Sequence, residues 1–495
     1  MKTDTQTEQF CHTILGLAVA NRKALANLVM SLASDLGSDS VVDLSTNPCY
    51  HHQFSSISKA ITHLRSGLDS ADGEAFAGLD ALESSLLGLK ASYLPKPLGR
   101  FWLLNTDCTS LLRPHAKCLA GRGFVYRPHE GPSSNAPVGI GHVCSTIGIS
   151  ARQPLYGGSA PPWNLPLSMR LVPIDQNTNS FTAAQVNQLL NHPDLPFGKE
   201  LTLNALDSKY ASPEYLADTY DQAHLVNVVR LASNRNVWRR LTPEEQQARR
   251  QGRSSSKGAN AVYGAAYKLS SAHQWDLPPD QSQQMGLKLA NGRKVILQIE
   301  AWEQMMIRSK RKKNMKDKPF RLLRIRYLDP QTNEPIFKRP LWLGLWGKDQ
   351  QELTLEEAFW AYRNRFDLEH FFRFGKQRLL LDQFQTPELE NQQNWLQIVD
   401  LAYWLLWVAK DEAQHQAKKW QQYDPRFQQR KQNQLPPSPS MVQQQLAAII
   451  LSFEKDPFRP KVQIKGKGRA KGTTFKKRPP QPVKKKHKRR KKEAA

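Results

Sequence analysis

LTLNALDSKYASPEYLADTYDQAHLVNVVRLA, residues 201–232, decides the fold class of this chain. Two apolar runs, 201–206 and 225–232, have the length and composition of buried strands. Between them, Ser212-Pro213-Glu214 is typical of the first residues of a helix, so 212–224 is predicted to be helical. A strand, a helix and a second strand in succession predict a sheet with a helix packed on one face.

The segments before this stretch predict more strands. FWLLNTD (101–107) is an apolar run that ends in an aspartate, and GFVYRP (123–128) and VGIGHVCSTIGI (138–149) follow it between turn residues. LPLSMRLVPI (165–174) continues or replaces the third strand, and TAAQVNQLLNH (182–192) is predicted to be a helix. Three strands followed by alternating helices and strands predict a mixed α/β sheet with helices on its faces.

The flanking regions have a different character. Apolar residues recur at helical spacing before the Pro-Lys-Pro turn at 95–97, and short strand-like pieces occur between 233 and 346. Two long helical stretches are predicted at 354–381 and 387–416. The predicted division is a helical N-terminal domain (1–95), a discontinuous α/β domain (96–232 and 347–416), a β-rich insertion (233–346), a linker with a short helix (417–460) and a tail (461–495).

The charge of the chain points to a polyanionic partner. Lys and Arg number 70 against 44 Asp and Glu, which gives a net charge of +26. Binding phosphates releases condensed counterions, so such a surplus favours nucleic acid. The tail, 461–495, holds sixteen Lys or Arg and one acid, Glu493. Its low apolar content predicts disorder, and such tails bind nucleic acid or act only as solubilising segments.

Membrane and disulfide-stabilised classes are not indicated. No run of about 18 apolar residues occurs, and the best candidate, 398–409, is short and contains Asp400. The N-terminus lacks the apolar stretch of a signal peptide. The five cysteines form no CxxC pair, so free thiols in the cytoplasm are the preferred interpretation. A metal site around Cys49, His51 and His52 is the alternative.

The stretch AYRNRFDLEHFFRFGKQR (361–378) carries the most specific pattern in the chain. Tyr362, Arg365, Glu369 and Lys376 lie at offsets of 3, 7 and 14, which places them within roughly 60° of one line on a helix. Arg373 lies nearby. The alternative interpretation is a solvent-exposed series of ion pairs along the helix. The helix is too apolar for that, because it contains Phe366, Phe371, Phe372 and Phe374. A carboxylate between cations and a phenol predicts a site for a metal ion together with a phosphate.

Two further carboxylates end predicted strands. Asp107 follows the apolar run 101–106 and Asp207 follows 201–206, and either one alone would be an ordinary turn residue. Two aspartates on one sheet together with Glu369 on a later helix form a more specific set. Mg²⁺ prefers carboxylate oxygens, and two such ions about 3.5–4 Å apart activate an attacking oxygen and stabilise a leaving one.

The spacing Tyr-x2-Arg-x3-Glu-x6-Lys resembles the YREK signature of a broad group of bacterial insertion-sequence transposases. The predicted element order is similar to their RNase H-like catalytic domain, with residues 233–346 as the β-rich insertion. The resemblance implies that Asp107, Asp207 and Glu369 are catalytic and hold Mg²⁺ or Mn²⁺, as two ions. It further implies DNA-binding roles for Tyr362, Arg365, Arg373 and Lys376.

The implied reaction is cut-and-paste transposition. Cleavage at a transposon end frees a 3′-hydroxyl, which then attacks target DNA. The implied partners are double-stranded DNA, both transposon ends and target, and a second copy of the chain on DNA, with a cytoplasmic, nucleoid-associated location and no membrane. In some relatives a flipped base stacks on an aromatic ring. Trp238, beside Arg239, is the candidate for that platform, and a tryptophan of the local core is the alternative.

Two other functions remain open from the sequence. A metal-dependent nuclease of the same fold would keep the three acidic residues but lack the joining step. A catalytically inactive, domesticated nucleic-acid-binding protein would keep the charge and the tail. The complete signature favours the transposase.

Overall fold

The computed structural model describes residues 4–17, 22–66, 81–127, 138–152, 161–251, 262–289, 292–309, 313–414, 423, 428, 435–454, 472, 474 and 477–484. The chain divides into two compact units. Unit 1 contains 1–96, 108–177 and 367–495, and unit 2 contains 97–107 and 178–366. The residues before 97 thus fall in the same unit as 367–495, and residues 233–346 fall in the same unit as 178–232.

Unit 1 is built around one long buried helix. Its helices are α1 (Gln6–Gly16), α2 (Arg22–Ser34), α3 (Phe54–Ser66), α4 (Ala81–Ala91), α9 (Phe366–Arg378, whose first residue belongs to unit 2), α10 (Leu389–Val408) and α11 (Pro439–Phe453). Helix α10 is buried along almost its whole length and packs against α1, α2, α3 and α11. The apolar run at 398–409 is thus a core helix, as predicted. Burial of this helix explains why the N-terminal helices share its unit.

The strands of unit 1 are β2 (Gly123–Tyr126), β3 (Val138–Ser150), β4 (Asn164–Val172) and the second part of β1 (Trp102–Leu112). Strand β3 pairs with β1, with β2 and with β4. Gly141 permits the close approach of β3 to β1, because a Cβ there would lie 1.9 Å from the Leu111 carbonyl oxygen. Residues 164–172 are thus a separate strand, where the sequence had left open whether they continue or replace the third one.

Unit 2 contains a large mixed sheet that is mostly antiparallel. Its strands are the first part of β1, β5 (Thr202–Leu206), β6 (Leu225–Leu231), β7 (Asn236–Arg240), β8 (Tyr263–Lys268), β9 (Gln281–Lys288), β10 (Lys294–Met306), β11 (Phe320–Leu328) and β12 (Leu341–Trp346). The order is β1-β5-β6-β12-β11-β10-β7-β8, and β9 also pairs with β10. Strands β1, β5 and β6 are parallel. Because β12 pairs directly with β6, the β-rich insertion continues this sheet.

The described residues of unit 2 form four α-helices: α5 (Thr178–Leu190), α6 (Pro213–Thr219), α7 (Pro243–Gln251) and α8 (Leu355–Asn364). Helix α8 begins with a capping box, in which Thr354 and Glu357 satisfy each other's backbone amides. It packs on β5 and β6. The predicted α/β class is confirmed. Among the described residues no helix is long and apolar enough to cross a membrane.

Three predictions about local structure were wrong. The stretch 354–381 is not one helix, because α8 ends at Asn364 and α9 begins at Phe366. Strand β1 continues past Asp107 to Leu112. The tail is not disordered throughout, because residues 477–484 are described and Gln481 and Lys484 donate backbone hydrogen bonds to Lys117 and Arg122 of unit 1. The rest of 461–495 lies outside the described residues, apart from 472 and 474.

A buried ion pair lies inside unit 1. Lys90, at the end of α4, donates to Asp400 of α10, and its Nζ lies 2.9 Å from the Leu167 carbonyl oxygen of β4. Both side chains are almost fully buried. Burial raises the pKa of Asp400 to about 6, and Lys90 opposes that rise. A single buried charge is far more costly than the pair, so the pair fixes α4 on α10.

We expect Lys90→Met to lower the free energy of unfolding by about 3–5 kcal/mol, measured by urea denaturation. In this variant the pKa of Asp400 is still higher in the folded state than in the unfolded state, so protonation of Asp400 stabilises the folded state. The loss is therefore smaller at pH 5 than at pH 8. The double variant Lys90→Met/Asp400→Leu is expected to recover most of the stability. Equal losses in the single and double variants would contradict this account.

Candidate active site

Three parallel strands of unit 2 bring charged residues to the same level. The last paired positions are Thr106 with Leu206 in β1 and β5, and Leu206 with Val229 in β5 and β6. The next residues along the three strands are Asp107, Asp207 and Arg230.

These three side chains lie on the face of the sheet that α8 covers. Side chains alternate between faces along a strand, and Asn105, two residues before Asp107, donates to the Asn364 carbonyl oxygen of α8 over 3.4 Å. Arg365, directly after α8, holds its Nη1 3.2 Å from Asp107 Oδ2. Its guanidinium also lies 4.9 Å from the Phe366 ring centre. Asp107 thus sits in a partly buried ion pair, since its side chain is 23% exposed and that of Arg365 is 6% exposed.

Tyr362 lies beside the same charged groups. Its side chain is buried at the end of α8, and the Arg365 guanidinium lies 5.8 Å from its ring centre. Burial raises the pKa of Tyr362, and Asp207 raises it further, whereas Arg365 and Arg230 lower it. The phenol therefore stays protonated at neutral pH and can donate a hydrogen bond. Unit 2 thus gathers two carboxylates, two guanidinium groups and a phenol at the carboxyl ends of parallel strands.

A buried polar network fixes the opposite face of these strands. Thr106 donates to Asn204 Oδ1 over 2.8 Å, and Asn204 Nδ2 donates to the Tyr215 hydroxyl of α6 over 2.8 Å. The Tyr215 hydroxyl lies 3.3 Å from Asn227 Oδ1, and Asn227 donates to Thr219 over 3.1 Å. The network therefore links β1, β5, β6 and α6, and in β1 it begins at Thr106, the residue before Asp107.

We expect Tyr215→Phe to lower the free energy of unfolding by about 1–3 kcal/mol, because it leaves buried amide groups of Asn204 and Asn227 without the hydroxyl. Tyr220→Phe is the matched control, since Tyr220 is buried in the same unit and its hydroxyl is outside this network. Urea denaturation of both variants gives the comparison. A cost for Tyr215→Phe no larger than that for Tyr220→Phe would show that the network does not hold the strands.

The remaining signature residues lie on α9, in unit 1. Glu369 and Arg373 are exposed, whereas Lys376 is partly buried and donates to the Ser110 carbonyl oxygen of β1 over 2.9 Å. Burial lowers the pKa of Lys376. Helix α8 ends at Asn364 and α9 begins at Phe366, so the signature spans two helices, with Arg365 between them in a helical backbone conformation. Tyr362 and Arg365 belong to unit 2, and the other three residues to unit 1.

Helix α9 is fixed within unit 1 by a second ion pair. Asp367 is buried and accepts two bonds from Arg152, at 2.8 Å from Nε and 2.5 Å from Nη2. Burial raises the pKa of Asp367, and Arg152 opposes the rise. Burial also lowers the pKa of His370, against the opposing charges of Asp367 and Glu369. The ion pair holds the turn of α9 that carries Glu369.

Trp238 lies in β7 and is half-buried between β10 and β8. The Arg308 guanidinium lies 4.7 Å from the Trp238 ring centre and 4.9 Å from that of Tyr263, so this cation is held by both rings. Arg239 pairs with Glu245 at 2.5 Å. These contacts agree with either interpretation of Trp238, as a platform or as part of the local packing.

Three cations of the structure were not predicted from the sequence: Arg230, Arg308 and Arg152. Arg230 had a signal, since it is a lone cation in the apolar run LVNVVRLA (225–232). Its position beside Asp207 depends on strand register, which the sequence did not give. Arg308 and Arg152 gave no signal in the sequence, because their partners lie far away along the chain.

The two aspartates fit a hard divalent cation in their chemistry, because both supply carboxylate oxygens at the ends of adjacent strands. In the structure, the positive charge of Arg365 compensates the negative charge of Asp107. Within the described part of the chain, no group of three or more His, Cys, Asp or Glu residues is arranged to hold a metal ion. Cys49, His51 and His52 are thus not assembled into the metal site that the sequence had left open.

No model of a known protein family matches the chain, and no curated protein is significantly similar to it.

Proposed function

We propose that this chain is a DDE-type transposase that cleaves DNA at transposon ends and joins the freed 3′-ends to target DNA. The observation that carries the proposal is the set of Asp107, Asp207 and Arg230 at one level of three parallel strands, beside Tyr362 and Arg365. Acidic and basic side chains lie together at the carboxyl ends of parallel strands. Such a group suits an anionic ligand that is accompanied by metal cations. A phosphodiester with divalent metal ions meets that description.

An RNase H-like catalytic domain is the fold we infer for this site. Such a domain has three antiparallel strands followed by two strands parallel to the first. In unit 1, β1 pairs with β3 and β3 pairs antiparallel with β4. In unit 2, β1, β5 and β6 are parallel in that order. The short strand β2 is then an addition beside β3, and Asp207 follows the fourth strand of the common core.

Asp107, Asp207 and Glu369 are the residues we assign to two Mg²⁺ or Mn²⁺ ions. When bound, the ions would activate the attacking oxygen and stabilise the leaving oxygen of an in-line displacement. Asp107 and Asp207 are preorganised by the polar network beneath them. Glu369 comes from α9, whose first turn is held by Asp367 and Arg152.

The cations and the phenol are the groups we assign to the DNA backbone. Arg365 and Arg230 carry charge beside the carboxylates, and a guanidinium can bind a phosphate through two parallel hydrogen bonds. Tyr362 supplies a neutral donor, since its pKa is raised. Arg373 and Lys376 extend the same role along α9. Two copies of the chain on paired transposon ends complete the proposal.

The test places a marker between the DNA segments that flank the coding sequence and supplies the chain with Mg²⁺. Excision and joining of the marker support the transposase. Hydrolysis of a precut end without joining supports the metal-dependent nuclease instead. Binding without reaction supports the nucleic-acid-binding protein that lacks catalysis.

We expect Asp107→Asn, Asp207→Asn and Glu369→Gln each to reduce cleavage and joining by more than about 100-fold. Loss of a direct metal ligand exceeds the 10- to 100-fold effect of outer groups. Asp194→Asn, at an exposed aspartate of unit 2, is the matched control and keeps full activity. Retained activity in any of the three variants, with unchanged thermal unfolding, removes that residue from the catalytic set.

We expect Arg230→Gln to weaken DNA binding and to reduce the slope of log affinity against log salt by about one, because one phosphate contact is lost. Arg293→Gln, which removes a cation paired with Asp329 between β9 and β10, is expected to leave the slope unchanged. Fluorescence anisotropy with a labelled duplex gives both slopes. An unchanged slope for Arg230→Gln would exclude this residue from the DNA site.

A further inference from the structure

Three large apolar side chains are exposed on the hairpin that β2 and β3 form in unit 1. Phe124 is 50% exposed, Tyr126 is 65% exposed and Val138 is 49% exposed. The register pairs Phe124 with Ile140 and Tyr126 with Val138. Because side chains alternate between the faces of a sheet, these four lie together on one face. An exposed apolar group of this kind is typical of a binding site.

The opposite face of the hairpin is packed. Val125 is 5% exposed, and its partner in the register is Gly139. At Gly139 the Leu112 side chain of β1 occupies the place of a side chain, since a Cβ there would lie 2.6 Å from Leu112 Cδ2. The hairpin is therefore held on β1 through this face, and Phe124 and Tyr126 are presented on a fixed strand.

The segments around the hairpin carry an excess of positive charge. Eight Lys or Arg and neither Asp nor Glu occur in the described segments 108–127, 138–152 and 477–484. Glu388 compensates one of these cations, Arg478. A surface with this balance attracts a polyanion.

Exposed cations lie at both ends of the pair of rings. Arg127 follows Tyr126 directly, and its side chain is exposed. At the other end, Lys484 is exposed and forms a parallel bridge with Gly123, the residue before Phe124. Along an extended strand, the four steps from Gly123 to Arg127 span about 14 Å. The two aromatic rings thus lie between two cations on one strand.

We propose that the exposed face of β2 and β3 binds single-stranded DNA, with one base stacked on Phe124 and a second base stacked on Tyr126. Arg127 and Lys484 bind the phosphates on either side of the two bases. Val138 and Ile140 extend the apolar surface beside the rings. Aromatic side chains combined with a cationic surface are the usual means of binding a single strand irrespective of its base sequence.

The spacing of the rings favours an unpaired strand over a duplex. Two steps along a β-strand separate Phe124 from Tyr126 by about 7 Å. Successive bases of a duplex strand lie about 3.4 Å apart, and each one covers the face of the next. A single strand can open to the wider spacing and place one base against each ring.

A second copy of the chain is the other occupant that an apolar face could take. It would bring its own cations against Arg127 and Lys484, and like charges facing one another disfavour that contact. A nucleic acid neutralises the same cations. The choice of DNA rests on the proposed function, whereas the binding requires neither metal ions nor Asp107. The measurements below are made without divalent ions, so their outcome is separate from that of the excision test.

Fluorescence anisotropy with a labelled oligothymidylate tests the stacking. Phe124→Ala and Tyr126→Ala are each expected to weaken binding about five- to 100-fold, because each loses one stacked base. Tyr126→Phe retains the ring and is expected to bind within about twofold of the unaltered chain. Phe54→Ala removes a ring that is 62% exposed on α3, and this matched control is expected to leave the affinity unchanged.

The same variants give the contrary outcomes. All of these rings are exposed, so thermal unfolding of each variant is expected to match that of the unaltered chain. A loss of affinity for Tyr126→Ala no larger than that for Phe54→Ala would overturn the proposal. Equal losses for Tyr126→Phe and Tyr126→Ala would also overturn it, because the ring would then not be the binding group.

Two further probes decide the kind of nucleic acid. Tyr126→Ala is expected to bind a labelled duplex of the same length as tightly as the unaltered chain does, since paired bases do not reach the ring. An oligouridylate is expected to bind the unaltered chain no more tightly than the oligothymidylate. An equal loss of duplex affinity, or tighter binding of the oligouridylate, would exclude single-stranded DNA as the specific ligand.

A base analogue reports the stacking itself. The fluorescence of 2-aminopurine in the middle of the oligothymidylate is expected to be quenched on binding, because the analogue stacks on a ring. The quenching is expected to be lost in the double variant Phe124→Ala/Tyr126→Ala at saturating protein. Undiminished quenching in the double variant would show that the bases lie elsewhere.

Salt dependence tests the phosphate contacts. Arg127→Gln and Lys484→Gln are each expected to reduce the slope of log affinity for the oligothymidylate against log salt by about 0.7. Lys59→Gln, at an exposed cation of α3, is the matched control and is expected to keep the slope. An unchanged slope for either of the first two variants would remove that cation from the site.

Discussion

The hydrogen bond from Thr106 to Asn204 fixes the register of β1 against β5, and the candidate site depends on that register. A slip by one residue would turn Asp107 or Asp207 to the opposite face of the sheet. Asn227 and Tyr215 extend the same constraint to β6 and α6. The charged groups on the α8 face are therefore placed by uncharged groups on the α6 face.

The site residues differ in how firmly they are held. Asp107, Tyr362 and Arg365 share a partly buried group of charges, where low solvent exposure strengthens each electrostatic contact. Glu369 and Arg373 are exposed on α9, although the ion pair between Asp367 and Arg152 ties the first turn of α9 to the segment that follows β3. Buried and exposed cations also differ at the tail. The buried guanidinium of Arg122 binds the backbone of residues 477–484, whose own cations are exposed.

Much of the fold could be predicted because the apolar pattern is local. The runs at 101–107, 201–207 and 225–232 have the period and length of strands, and each is one in the structure. The boundary between α8 and α9 was not predicted, because the sequence near Arg365 contains neither the proline nor the glycine that usually ends a helix. Arg230 was missed because its neighbours come from strand pairing. The order of residues 477–484 was missed because composition predicts disorder without reference to a binding partner.

By itself, the sequence determined the element order, the mixed α/β class, the excess of positive charge and the residues of the signature. These properties depend on side-chain type and spacing along the chain. The tertiary structure alone decided that Asp107, Asp207 and Arg230 lie side by side, that Arg365 pairs with Asp107 and that residues 481–484 bind beside β2. Those contacts join residues up to several hundred positions apart, and only the pairing of strands and the burial of polar groups specify them.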